Sequence, residues 1–267
     1  MQCILDLIKT NEVLFHYTKF ETAKDYIIPK MQLKLSLLSQ AGDPHEYKTK
    51  LINLMHRQST KTNVTQTREE IREKFKKKLF FCSFCQSNNT SPPTKFGHLK
   101  SRMWQQYGDS HNGTCLVFSK ADLIKNMKNV ASKENFFLWH KKIEYKNPGD
   151  IKWPTLKIKS EIDRNNIDDI FAQTYKETLF TKDKDYKDEN EYRLYAYSLN
   201  EDSQIEEIFV DVSHCLKAVI CGDRCSKNSL KEIYKISKQK DIECLTIKWD
   251  QNKFDFAIGK SQNIINL

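Results

Sequence analysis

Glycine is scarce in this chain, seven residues of 267, and none of the seven falls in a GxGxxG or GxxxxGK arrangement. Those arrangements let a backbone approach phosphate oxygens more closely than a Cβ permits, so neither a Rossmann dinucleotide site nor a P-loop is expected. Any nucleotide bound here must be gripped by side chains. No apolar run approaches membrane-spanning length. The opening MQCILDLIKTNEV has no basic leader and no small-residue cleavage site, so no signal peptide is expected and the default location is cytoplasmic. No repeat with a solenoid or propeller period occurs. No stretch reads as a linker, which points to a single domain over residues 1–267, long enough to build a core without disulfides or a structural metal.

Cysteine is not scarce, but its spacing excludes much. Of eight cysteines, only Cys82 and Cys85 have the two-residue gap of a zinc knuckle or redox pair, and no second such pair exists. Most lie in apolar runs (LFFCSFC, GTCLVF, KAVICGD), where a free thiol behaves as a small hydrophobe. On a strand, Cys82 and Cys85 face opposite ways. Reduced core thiols and no metal are the expectation.

What is present is charge. The composition is 39% hydrophobic and 30% charged, with a formal net charge of +9, which places the chain among globular proteins rather than disordered ones. REEIREKFKKK and LIKNMKNVASK are basic, whereas EIDRNNIDD and SLNEDSQIEE are acidic. A basic surface attracts nucleic acid. Lysines interleaved with acids and apolar residues also describe an ordinary solvated helix face.

Apolar periodicity marks VLFHYT as a strand. An amphipathic helix over FETAKDYII is expected to stop before Pro29. MQLKLSLLS alternates as a strand, and AGDPHEY turns on Gly42, Asp43 and Pro44. A polar, helical stretch broken near STKTNVTQT leads to KKLFFCSFC, a strand buried on both faces. QSNNTSPPTK is an exposed loop next to that strand, placed to act as a lid. FGHLKSRMWQQYGD reads as a helix, HNG as a turn and TCLVFS as a strand. A helix capped by Ser119, with Asp122 three residues on, follows. FFLWHKKIEY is a strand, NPGDIKWP a loop, Leu156 to Phe180 helical, and TKDKDYKDEN a charged connector. EYRLYAYS, IEEIFVD, KAVICGD and ECLTIKW are strands, with a helix over SLKEIYKISK. About eight or nine strands with irregularly inserted helices give an α+β fold of mixed, mostly antiparallel sheets.

Four clusters put polar, ionisable and aromatic groups at strand edges: LFHYT, SQAGDPHEY, MWQQYGDSHNG and DENEYRLY. Together with FFCSFC they follow the motif order of a bacterial family, domain-of-unknown-function family 2971, which the chain resembles from about residue 14 to 193. Gly42 stands where that family usually has Asn, and Tyr186 where it usually has Trp. The pattern is also distantly similar to the ADP-ribosyltransferase fold of the His-Tyr-Glu type. That resemblance implies a split core and NAD as substrate. It implies His16 on the adenosine ribose, Glu191 on the nicotinamide ribose and an aromatic against nicotinamide. Tyr107 is the choice for the aromatic, with Tyr17 and Trp104 as substitutes, and Ser83 lines the same pocket. It further implies a transferase acting on a protein or nucleic acid, or an NAD glycohydrolase, in the manner of a toxin-like effector of anti-phage defence.

The chemistry is sound by itself. Breaking the nicotinamide–ribose bond develops positive charge on the ribose, which a fixed carboxylate stabilises more than it stabilises the neutral sugar. A neutral imidazole can donate one hydrogen bond and accept one, matching a diol. Arg193, two residues from Glu191 and on the same strand face, can hold a pyrophosphate or pair with Glu189.

Plainer readings stand beside these. His16 fits a satisfied core histidine, Met103 and Trp104 fit packing, Tyr107 fits a helix end, and His111 fits a turn. Asp43 and Glu46 fit a turn and a helix start, and Glu189, Glu191 and Arg193 fit a structural ion pair. Two other functional classes share the same residues: a nucleic-acid-binding or metal-dependent nuclease domain using Asp43, Glu189 and Glu191, and a non-catalytic nucleotide sensor.

Overall fold

The computed structural model describes residues 3–40, 53–55, 73, 75–87, 96–150, 155–157, 179–200, 205, 207–251 and 255–260, with backbone alone for 53–55, 148, 155–157, 255–257 and 260. The strands in chain order are β1 (Val13–Thr18), β2 (Gln32–Leu37), β3 (Asn53–Met55), β4 (Leu79–Cys85), β5 (Thr114–Ser119), β6 (Phe136–Lys142) and β7 (Glu144–Lys146). They continue with β8 (Thr155–Lys157), β9 (Thr181–Asp183), β10 (Glu191–Ser198), β11 (Ile208–Asp211), β12 (Leu216–Cys221), β13 (Glu243–Asp250) and β14 (Asp255–Lys260). Helical segments are α1 (Ile4–Leu7), α2 (Ile28–Lys30), α3 (Ser101–Gln106), α4 (Lys120–Glu134) and α5 (Lys227–Gln239). The result is a mixed α and β fold on a mostly antiparallel sheet. No helix among the described residues is long and apolar enough to cross a membrane.

Ten strands form one sheet that branches at β4. One side of β4 carries β10 and then β6. The other side meets two strands at different heights: β2 at Ser36–Phe81 and Leu37–Phe80, and β1 only at Phe15–Cys85. From β1 the sheet runs on through β5, β12, β13 and β14, with β12–β13 as its parallel step. A single residue pair therefore joins the group β6, β10, β4, β2 and β11 to the group β1, β5, β12, β13 and β14. Where β1 and β2 separate alongside β4, a cleft opens.

Side-chain alternation decides what faces that cleft. Phe80, Cys82 and Phe84 of β4 join Leu194 of β10, Leu33, Phe118 and Val219 in one apolar cluster. The amphipathic helices α4 and α5 cover it, burying Leu123, Met127, Leu230 and Ile233. The opposite face is divided. Leu79, Trp139, Tyr195 and Tyr197 build one cluster, and Phe15, Tyr17, Trp104, Cys115 and Ile220 build another. Ser83, Glu191 and Arg193 occupy the gap between these two clusters on the strand face that bears Tyr195 and Cys85. Cys82 and Cys85 fall in different clusters, as opposite strand faces require, and every described cysteine is free.

The strands expected at VLFHYT, MQLKLSLLS, KKLFFCSFC, TCLVFS and EYRLYAYS are present, and Ser119 caps α4 through the Asp122 amide at 3.4 Å. Several expectations are corrected. The helix after β1 does not stop before Pro29: a π-helical turn, Thr22–Ile27, runs into α2, where proline occupies a first-turn position that needs no amide donor. TKDKDYKDEN is not an open connector. It contains β9, paired in parallel with β7, and a 3₁₀ helix over Lys184–Glu189. At the start of the expected helix Leu156–Phe180, Thr155–Lys157 is a strand paired with β3. Most of that helix lies outside the described residues, as do the Gly42–Asp43–Pro44 turn, Glu46, STKTNVTQT and the Ser/Pro part of QSNNTSPPTK. These short strands, and β14, owe their conformation to a partner strand rather than to a period readable in three to six residues.

Candidate active site

Asn190 sets the start of β10. It ends the 3₁₀ helix in the left-handed region at φ 47°, which asparagine tolerates better than most residues. Its side-chain amide donates to the Gln86 carbonyl at 2.7 Å, and its own carbonyl accepts the Gln86 amide at 3.0 Å. That double tie fixes the end of β4 against the start of β10. Glu191 follows directly, 3% exposed, its amide donating to the Tyr145 hydroxyl at 2.8 Å.

A buried ion network surrounds the Glu191 carboxylate. Arg193 bonds it twice, Nε to Oε1 and Nη2 to Oε2 at 3.0 Å, and the Lys182 ammonium reaches Oε2 at 3.3 Å. Lys182 is closer to Glu189, 2.8 Å from Oε2, and the Tyr107 hydroxyl donates to Glu189 Oε1 at 3.3 Å. Burial by itself would raise the Glu191 pKa. Arg193 and Lys182, with hydrogen bonds from Arg193 and Ser83, outweigh it and bring the group down to about 2. At Glu189 burial wins over Lys182, and the neighbouring Glu191 charge adds to it, so that carboxyl is raised. Two carboxylates two residues apart are thereby pushed in opposite directions, the pattern that separates a permanent anion from a group able to carry a proton.

Of the pairings open to Arg193 in this trio, the structure shows the one with Glu191 rather than with Glu189. Its Nη1 donates to the Tyr195 hydroxyl at 3.0 Å, and its guanidinium lies 5.8 Å from the Phe81 ring centroid. With 3% exposure and these donors committed, it orients Glu191 rather than offering a fork to a pyrophosphate.

His16 comes from β1, across the split. Its Nδ1 lies 3.0 Å from the Ser83 carbonyl, which can only accept, so Nδ1 carries the proton and Nε2 is left as an acceptor. Burial lowers its pKa against that hydrogen bond, which keeps the ring neutral near pH 7. Of the two hydrogen bonds a neutral imidazole can offer a ribose, one is therefore used within the fold.

The aromatic candidates separate clearly. Trp104 is 0% exposed, donates Nε1–H to the His98 carbonyl at 2.8 Å, and does not line the cleft, so it is a core residue and not a ring platform. Tyr17 is buried, its hydroxyl donating to the Gly97 carbonyl at 2.6 Å and its ring edge-on to Trp104 at 5.0 Å. A Cβ at Gly97 would stand 2.2 Å from the Phe15 ring, so the close packing of this segment on Phe15 requires glycine. Tyr107, 44% exposed, presents its ring. Tyr107 is positioned by the motif around it: α3 ends at Tyr107, and Asp109, Ser110 and His111 follow with φ of 49°, 52° and 72°. The His111 ring stacks on Trp104 at 6.1 Å.

One cavity of about 1020 Å³ is lined by His16, Tyr17, Ser83, Tyr107, Glu191 and Arg193. Lys182, Glu189 and Tyr186 line it too, with Lys30, Lys34 and Phe209 at its β2–β11 side. Lys182 and Tyr186 were not singled out from sequence. Lys182 is one of three lysines in TKDKDYKDEN, and nothing in that run distinguishes it. Tyr186 carried a faint signal, standing where the resembled family has Trp. Its ring lies 4.5 Å from the Lys182 ammonium and 5.2 Å from the Arg102 guanidinium, measured to the centroid. Among the described residues no group of three or more His, Cys, Asp or Glu side chains is arranged to hold a metal; Asp43 lies outside them.

These features define a class: a mixed α and β protein whose branched sheet opens into a side-chain-lined cleft with a buried, ionised carboxylate. Within that class the chain is similar to a family described as a protein of unknown function (DUF2971), whose model matches residues 103–194. The match runs from Met103 to Leu194 and so includes Tyr107, Lys182, Glu189, Glu191 and Arg193. No curated protein and no solved structure matches the chain.

Proposed function

We propose that the chain consumes NAD, cleaving the nicotinamide–ribose bond as an ADP-ribosyltransferase or an NAD glycohydrolase. The observation that carries this reading is the convergence of His16, Tyr107 and Glu191, borne on three different elements, on one cavity of about 1020 Å³. That volume is at the upper end of small-molecule pockets and suits a dinucleotide. In the reaction the C–N bond breaks, nicotinamide leaves with the bonding electron pair, and the ribose takes on oxocarbenium character. Water or an acceptor nucleophile then bonds to the anomeric carbon.

Glu191 supplies the anion beside that carbon. Its lone pairs face Arg193, Lys182 and Ser83, so a ribose hydroxyl must replace one of them. Lys182 is the group to yield, because its bond to Glu191 is 3.3 Å and its bond to Glu189 is 2.8 Å. Glu189 then holds the ammonium while Glu191 accepts from the ribose. Tyr107 and Tyr186, which line the same cavity, offer rings for nicotinamide. His16 Nε2 accepts from the adenosine ribose. A toxin-like role in bacterial defence extends this reading by analogy with the resembled fold.

Incubation of the purified protein with NAD and quantification of free nicotinamide tests the proposal. Release that is lost in Glu191→Gln, with native circular dichroism retained, supports it. Absence of release from the wild type under all acceptor conditions would sink it. A metal-dependent nuclease is the weaker reading because the cations Lys182 and Arg193 sit on the carboxylates that a divalent ion would need. Chelator separates the two, since NAD cleavage by these residues needs no metal. Stoichiometric NAD binding without product would instead indicate a nucleotide sensor.

A further inference from the structure

Tyr192 follows Glu191 in β10 and therefore points to the other face of the sheet. Two lysines and a histidine gather around it. Lys142 of β6 is its direct cross-strand partner, and His140, beside Leu194, places Nδ1 2.7 Å from the Tyr192 hydroxyl. Lys120, first residue of α4, holds its ammonium 4.2 Å from the Tyr192 ring centroid. Lys128, two turns along the same helix, acts on His140. We propose that this cluster, Lys120, Lys142, His140 and Tyr192 with Lys128 at its edge, binds a phosphate group.

The charges are arranged against one another. Burial depresses the Lys120 pKa and Lys142 depresses it further. Burial, then Lys128 and Lys120, lower the His140 pKa. Burial first, and Lys142 among the nearby charges, depress the pKa of Lys100, which hydrogen-bonds the Asp188 carbonyl at 2.6 Å. Among the described residues the Asp122 carboxylate is engaged elsewhere. Asp122 of the first turn of α4 pairs with Lys217 at 3.4 Å, and Glu12 meets Lys120 through its backbone carbonyl, which accepts the Lys120 amide at 2.9 Å. Among the described residues neither Lys120, Lys128 nor Lys142 forms an ion pair. Like charges held close with no counterion among the described residues raise the energy of the free protein, and a bound anion relieves it. Lysine ammoniums are point charges that suit a tetrahedral anion, whereas a planar carboxylate is better met by the arginine fork absent from this cluster. When Nδ1 accepts from the Tyr192 hydroxyl, a neutral His140 keeps Nε2–H as a donor for an anion.

Two probes distinguish a free phosphate ligand from a nucleic-acid backbone, and neither contains NAD. In the first, inorganic phosphate is titrated while the His140 ring protons are followed by NMR; the His140 pKa is expected to rise in the wild type and stay put in K120A/K142A. In the second, a fluorescent single-stranded oligonucleotide is bound across a salt series. A backbone ligand predicts at least tenfold weaker binding by the double variant and a salt slope smaller by roughly 1.4, about 0.7 for each lysine–phosphate pairing removed. Lys238→Ala, which alters charge on α5 instead, is expected to change neither. A response to phosphate alone assigns the site to a small phosphate-bearing ligand. No His140 response together with unchanged oligonucleotide binding overturns the proposal, as does a clear drop in the unfolding temperature of K120A/K142A, which would make the lysines structural.

Discussion

Lowering the pH is the most discriminating perturbation of the carboxylate network. Glu191 has a pKa of about 2 against an ordinary 4.5. At roughly 1.36 kcal/mol per pH unit, that depression corresponds to about 3 kcal/mol favouring the folded state when the group is ionised. The folded pKa is the lower one, so this contribution is complete above the unfolded pKa near 4.5 and is lost as pH falls through 2. Glu189 is shifted the other way by burial, and its protonation in the folded state partly offsets the loss at the upper end of that window. Urea unfolding of the wild type and of Glu191→Gln, from pH 7 down to about 2.5, reads the difference. At neutral pH the variant is expected to be less stable by about 3 kcal/mol or somewhat more, because Arg193 and Lys182 lose a buried counterion. Towards pH 2.5 the two curves should converge. Parallel loss of stability in both proteins through this window would refute the claim that Glu191 is held ionised by its buried cations.

Lys182→Met removes the ammonium that bridges Glu189 and Glu191, leaving two buried carboxylates with one cation; a loss of about 3–5 kcal/mol is expected in denaturant melts. Trp104→Ala should cost about 3–5 kcal/mol through the cavity it leaves and the orphaned His98 carbonyl. Tyr107→Phe removes one half-exposed hydrogen bond and should cost under about 1 kcal/mol, which gives it a test of function uncomplicated by unfolding. If Tyr107→Phe and Trp104→Ala prove equally destabilising, the assignment of one to the cleft and the other to the core is wrong. Asn190→Ala forces a Cβ without a polar tip into the left-handed region and deletes the bond to Gln86; roughly 2 kcal/mol and a weaker hold on β10 are expected, measurable as faster amide exchange at the start of that strand.

Much of this protein was legible in the residues themselves. The alternation in MQLKLSLLS, the apolar run in LFFCSFC and the Ser119 cap with Asp122 behind it are local signals, and the structure carries β2, β4 and α4 where they point. The candidacy of His16, Tyr107, Ser83 and Glu191 was also readable, because each falls in a short motif of polar and aromatic residues, and all four line one cavity.

Three things were decided only by tertiary structure. Whether an aromatic is platform or core depends on what surrounds it, and Trp104 and Tyr107, three residues apart on the same short helix end, have exposures of 0% and 44%. Lys182 could not be told from Lys184 and Lys187, since its role comes from the parallel pairing of β9 with β7 that sets it opposite Tyr145 and beneath two carboxylates. The split itself, with β1 and β2 meeting β4 at different heights, follows from long-range register that no local period encodes. Composition determined that a nucleotide could not be held on a glycine-rich loop. Only the register of β4, β10 and β1 decided that an ionised carboxylate and a neutral imidazole, 175 residues apart in the chain, would face the same cavity.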